Sequence, residues 1–210
     1  DEVISTKQSQ RRLLEMGKII HTIFEKNNIP YMITFGTLLG AVRHKGFIPW
    51  DDDFDIFLFG DSYAKAIDVL RENLPKDMFL EDEHSEPLYF HSWAHVKDTH
   101  TYAKCDQFPQ DNIYSHHGLS IDLYVMYEMK ESDIDLFRLR ENLKYQERKY
   151  RDNLLSKEEF AHVSDGIKQK IIEEINHPSI TSGKRAYGMV LNERVMYPEE
   201  IFPLKKYIFE

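Results

Sequence analysis

The chain has 210 residues, 41% of them hydrophobic and 13% aromatic, which fits one sizeable folded core and excludes a disordered chain. Its formal net charge of −9 excludes the basic footprint of a general nucleic-acid binder. The single cysteine, Cys105, rules out an internal disulfide, and no apolar run approaches the ~20 residues that span a bilayer.

No signal peptide opens the chain, so a soluble cytoplasmic protein is expected, at most peripheral at the inner face of the membrane. The spacing of Leu13, Met16, Ile20, Ile23 and Phe24 predicts an amphipathic helix over Thr6–Lys26, ended by Asn27, Asn28 and Pro30. Tyr31–Phe35 reads as a short strand, Leu38–His44 as a helical segment capped by Thr37, and Gly46–Trp50 as a turn. Phe54–Phe59 reads as a buried strand and Ser62–Asn73 as a helix stopped by Pro75. Short strands are expected at Met78–Leu80, Trp93–Lys97 and Thr101–Lys104, with a stronger one at Leu119–Tyr127. From Ser132 the pattern is helical and charged, to about Tyr150 and again over Ser156–Ile175. The tail from Tyr197 to Glu210 reads as ending within a strand, as in a chain cut short. The expected organisation is α+β: a small mixed sheet with flanking helices in a core over 1–130, then a mostly helical subdomain over 131–210.

The turn before Phe54 carries Asp51, Asp52, Asp53 and, one residue later, Asp55. Carboxylates packed this closely repel, and the offsetting agent is solvation, a raised pKa or a bound cation. Because the run leads into a buried strand, solvation is a poor answer for Asp53 and Asp55, and an oxygen-only set suits Mg²⁺, Mn²⁺ or Ca²⁺. Asp51-x-Asp53-x-Asp55 opens like a calcium loop, but Ile56 and Ser62 stand where that loop needs Gly and Glu. Two residues apart on a strand, Asp53 and Asp55 share a face, while Asp52 is expected to point away. Upstream, Gly36 permits close approach of a phosphate to the backbone, and Thr37 offers hydroxyl and amide donors.

Asp122 interrupts an apolar strand, on the face opposite Ile121, Leu123 and Val125. Either it lies at a solvated edge, or it is a third ligand that closes the site begun by Asp53 and Asp55. Arg43 and Lys45 fit diphosphate oxygens, or equally helix-end charges favoured by the dipole; Lys97 is open in the same way. Trp50 fits a structural corner, or a surface on which a flat ring or a cation can rest. His91, His95, His100 and Cys105 lie close in sequence, but their spacing matches no zinc pattern. His116-His117 reads as a loop pair, and Cys105 has no activating base nearby in sequence.

The string from Gly36 through Ile48-Pro49-Trp50-Asp51-Asp52-Asp53 to Asp55 closely resembles the LicD family of phosphocholine transferases, within the nucleotidyltransferase superfamily that includes fukutin and fukutin-related protein. Looser similarity covers the Gln8–Asn28 helix, His95–Thr99, Gly118–Asp122 and Ile201–Lys206. Thr37 stands where many superfamily members have Ser, and Phe54 where Ile or Val is more familiar. The resemblance implies transfer of an alcohol phosphate from a CDP-linked donor, CDP-choline first, to a hydroxyl of a glycan or lipid-linked glycan, releasing CMP. It implies Mg²⁺ or Mn²⁺ held by Asp51, Asp53, Asp55 and Asp122, with Asp53, Asp55 and Asp122 catalytic, and Asp122 placed to take the acceptor proton. Gly36, Thr37, Arg43, Lys45, Trp50 and Lys97 are the substrate-binding candidates. Nucleotidyl transfer from a nucleoside triphosphate and a non-catalytic nucleotide-binding role are the alternatives.

Overall fold

The structure, a computed structural model, describes residues 3–103, 109–176, 183–189 and 195–210. The chain divides into two compact units, Asp1–Val125 with Leu204–Glu210, and Met126–Pro203.

The first unit opens with α1 (Thr6–Lys26), entered through a reciprocal Ser5–Gln8 capping box. Its buried stripe is Leu13, Met16, Ile20, Ile23 and Phe24, the helical spacing expected of these residues. The chain leaves through Asn28, at a φ of 52°, into β1 (Tyr31–Ile33). Helix α2 (Phe35–His44) follows after one residue, three residues earlier than the sequence pattern places it, and Lys45 closes it at a φ of 59°. Next come β2 (Phe54–Phe59), buried along its whole length, and α3 (Gly60–Asn73). Strands β3 (Met78–Glu81) and β4 (Ala94–Asp98) precede β5 (Ser120–Lys130), whose residues up to Val125 belong to this unit. The strand order is β1-β2-β5-β4-β3; β1 pairs with β2, β3 with β4 and β4 with β5, each antiparallel.

Alternation along these strands separates two chemistries. Ile56 and Leu58, Leu80, Ala94 and Val96, and Ile121 and Leu123 join α1 and α3 residues in one apolar core. The intervening positions put Asp55, Glu81, His95, Lys97, Asp122 and Tyr124 on the other face. A carboxylate can therefore sit in strands that otherwise read as core. Residues 204–210 return to this unit: Phe209 packs edge-on against Phe47 and Phe54, with ring centroids 4.9 and 5.4 Å apart. The Glu210 N–H donates to the Lys45 carbonyl at 2.7 Å.

In the second unit, Met126–Lys130 pairs antiparallel with β6 (Arg185–Met189), which pairs with β7 (Val195–Met196). Helices α4 (Ile134–Arg151) and α5 (Lys157–Ile175) pack together, with Tyr150 stacked on Phe160 at 4.6 Å. Ser156 and Glu159 form a capping box at the start of α5, and a short α6 (Pro198–Ile201) follows β7.

Three expectations need correction. Thr101–Ala103 is not strand, while Lys104 and Cys105 lie outside the described residues. The tail is a helical turn and then irregular chain rather than a strand, because Pro198 sets the first turn of α6 and Glu200 returns to its N-terminus. Strands β6 and β7 also went unread, being short and lacking a clean alternation of their own.

Candidate active site

The acid-bearing loop is fixed from two sides. From α1, the Gln10 amide donates to the carbonyls of Ile48 and Asp51 at 3.0 and 2.7 Å. From α2, Thr37 is 1% exposed, and its hydroxyl accepts the Asp55 backbone N–H at 2.9 Å. Gly36 faces Asp51 so closely that a Cβ built there would lie 2.5 Å from the carboxylate Oδ2. A side chain at this position would push the Asp51 carboxylate aside, so the glycine leaves that acid its place.

Ligand atoms of Asp51, Asp52 and Asp53 all lie within 4.8 Å of one another. Asp52 therefore stands with its neighbours instead of turning away. Asp53 is exposed, contrary to the buried placement expected of it: it lies in the loop just ahead of β2, whose bounds Phe54–Phe59 are those the sequence pattern predicts. Its carboxyl is still pushed up to about 6, by partial burial first and then by Asp52, Asp122 and Asp51. Asp55, only 8% exposed, is pushed up to about 8 by burial first and then by Asp122, Asp53 and Asp51. The acids of β2 and β5 therefore share one negative field.

Asp122 is half-buried and well furnished with partners. Tyr124 Oη donates to Oδ2 at 2.8 Å, and Ser120 Oγ lies 3.3 Å from Oδ1. His95 Nε2 lies 3.4 Å from Oδ1, across the β4–β5 register. His95 is itself opposite Glu81 on β3, whose Oε1 lies 3.3 Å from Nδ1. Glu81, His95 and Asp122 thus form a row across three strands, running from a fully buried carboxylate to the acid site. Tyr89 Oη at 2.7 Å from Nδ1 and the Trp93 indole N–H at 3.1 Å from Nε2 hold the ring. Neither Glu81 oxygen has a hydrogen-bond partner among the described residues. Sequence reading missed this row, since only the register between strands distant in sequence creates it.

The basic candidates are placed differently. Lys97 is largely buried, with Nζ 3.8 Å from Glu81 Oε1. Arg43 and Lys45 are exposed at the opposite end of α2 from Gly36 and Thr37. Trp50 is 81% exposed, so it is no buried corner. Of the histidines, His91 pairs with both oxygens of Asp111 at 2.8 Å, and His116 stacks on Phe79 at 3.8 Å. An aromatic cluster borders the acids: Tyr124 meets Phe35, Phe57 and Trp93 at centroid distances of 5.5, 5.9 and 5.2 Å.

A family model described as LicD/FKTN/FKRP, nucleotidyltransferase domain, matches residues 28–164, a segment holding Asp51, Asp52, Asp53, Asp55, Glu81 and Asp122. The chain belongs to the LicD family. Among curated relatives, this LicD-family domain is 41% identical over 66 residues to the lipopolysaccharide cholinephosphotransferase LicD of Haemophilus influenzae, covering 31% of this chain and 25% of that protein. It is 31% identical over 136 residues to an uncharacterised protein of Rickettsia typhi, covering 60% of this chain and 41% of the relative. Against an uncharacterised protein of Rickettsia prowazekii the identity is 27% over 144 residues, covering 60% and 48%. The chain thus spans between a quarter and about half of these relatives. No helix among the described residues is long and apolar enough to cross a membrane.

Proposed function

We propose that this LicD-family domain is the catalytic part of a metal-dependent transferase. It moves phosphocholine, or a similar alcohol phosphate, from a CDP-linked donor to a hydroxyl of a cell-surface glycan or teichoic-acid precursor. The observation that carries this reading is the acid cluster inside the family-matched segment: ligand atoms of Asp51, Asp52 and Asp53 lie within 4.8 Å of one another, and Asp53 and Asp55 are raised to about 6 and about 8 by burial first and then by the acids around them, Asp122 included. A carboxylate set that resists ionisation for want of a counter-charge has the chemistry of a divalent-cation site. The name of the Haemophilus relative supports phosphocholine as the first group to test.

Asp51, Asp53, Asp55 and Asp122 would hold Mg²⁺ or Mn²⁺, which neutralises diphosphate charge in such transfers. Gly36 and the start of α2 lie beside Asp51, where the backbone approaches an anionic donor closely. The acceptor oxygen forms a bond to the phosphorus bearing the alcohol, and the bond from that phosphorus to CMP breaks, with its electron pair leaving on CMP. Asp122, held by Tyr124, takes the acceptor proton.

The test is a thermal-shift and product panel with Mn²⁺, using CDP-choline, CDP-glycerol, CDP-ribitol and CTP, on the wild type and Asp53→Asn. A ligand at a hundred times its dissociation constant adds about 2.7 kcal/mol of stability. The expected result is a shift with one CDP-alcohol, dependent on metal and Asp53, and CMP release with a glycan acceptor. Binding of CTP alone, with pyrophosphate released, would replace this reading with nucleotidyl transfer. Binding without turnover would make the domain a nucleotide-binding relative.

A further inference from the structure

Phe35 is the residue that neither the acids nor the fold requires as it stands. Its φ of 46° lies in the left-handed region, which a bulky aromatic side chain rarely occupies. Strain of this kind persists where the surroundings enforce it, and it concentrates at ligand sites. Here it turns the chain from β1 into α2 within a single residue. The Phe35 ring then lies against Tyr124 at 5.5 Å, edge-on, and against Phe57 at 5.4 Å. Despite both contacts the residue is 39% exposed.

Two links place this ring on the wall of the acid site. Its neighbour Gly36 abuts the Asp51 carboxylate, and its ring partner Tyr124 donates a hydrogen bond to Asp122. Phe35 is therefore joined to Asp51 through its chain neighbour and to Asp122 through its ring partner. Trp50, more exposed still, precedes Asp51 in the chain.

We propose that Phe35, backed by Tyr124, forms the subsite for the cationic head of the transferred alcohol, a quaternary ammonium. The proposal rests on the transferase reading above and deepens it. An aromatic face attracts a cation through its quadrupole, and desolvation strengthens the attraction. A neutral polyol such as glycerol gains nothing from the ring's quadrupole, so the ring favours an ammonium over it. A nucleobase can stack on the same ring, and the CMP affinity of ring variants separates that use from the first.

The experiment compares kcat/KM for CDP-choline and CDP-glycerol, with Mn²⁺, in the wild type, Phe35→Leu and Phe35→Tyr, alongside the dissociation constant of CMP for each. The wild type is expected to prefer CDP-choline. Phe35→Leu is expected to reduce the CDP-choline to CDP-glycerol ratio about tenfold, the scale of a partly desolvated cation–π contact. Phe35→Tyr, which keeps the ring, is expected to preserve the ratio and controls for folding. An unchanged ratio in Phe35→Leu overturns the proposal, as does a loss common to both donors that tracks weakened CMP binding, which would assign the ring to cytosine. If neither donor binds or turns over in the wild type while CTP does, the transferase reading itself fails.

Discussion

At the scale of single residues, Asp55 links the site to stability. Its folded-state pKa of about 8 lies well above the ordinary carboxylate value of 3.8. Below pH ~4 both folded and unfolded chains bind its proton, and no penalty arises. As pH rises from about 4 to about 8 the unfolded state releases the proton first, so stability falls through that window. We therefore expect the metal-free protein to melt at a lower temperature at pH 8 than at pH 5.5. Asp55→Asn should flatten the profile, and Mn²⁺ should flatten it in the wild type by supplying the missing counter-charge. Equal pH slopes for the wild type and Asp55→Asn would show that Asp55 does not carry the effect. The identity of Asp55 was legible in the sequence as an acid inside a buried strand. The exposure of Asp53 was not, although the strand start at Phe54 was, because the loop ahead of β2 is held by contacts from α1 and α2 that no periodicity reports.

At the scale of elements, the row across β3, β4 and β5 ties the acid site to the sheet. His95→Ala removes a buried ring that contacts Tyr89, Trp93, Glu81 and Asp122. We expect a loss of about 2–3 kcal/mol in urea unfolding, since buried polar partners are left uncompensated. A roughly tenfold loss of Mn²⁺ affinity should accompany it, as when a ligand's outer partners are removed. Unchanged Mn²⁺ affinity in a folded variant would separate the row from the site. Apolar stripes made α1, α3 and β2 readable, because burial along each is periodic within its own segment. Glu81, by contrast, stands one residue past the strand expected at Met78–Leu80. Its meaning lies in a pairing with His95 that no local pattern encodes. Phe35 was hidden for a related reason: sequence marked the strand–helix boundary by Gly36 and Thr37, whereas the chain turns one residue earlier, at a positive φ.

At the scale of the whole molecule, the first unit is closed by residues distant in sequence. Phe209 packs on Phe47 and Phe54, which flank the acid loop. Phe209→Ala should lower the melting temperature by several degrees, corresponding to about 1–2 kcal/mol for a half-buried aromatic ring. It should also weaken Mn²⁺ binding more than a distant variant of equal stability cost, such as Phe160→Ala on α5. Equal effects on metal binding would confine the aromatic contact to general stability.

The Thr37 hydroxyl has a consequence of its own. It accepts the Asp55 amide hydrogen and still has its own hydrogen to give. With only 1% of the residue exposed, that hydroxyl is closed to solvent, and its bond to the amide clamps α2 to the acid strand. Thr37→Val, which keeps the shape and removes the acceptor, should leave the Asp55 amide hydrogen exchanging faster than its neighbours along β2.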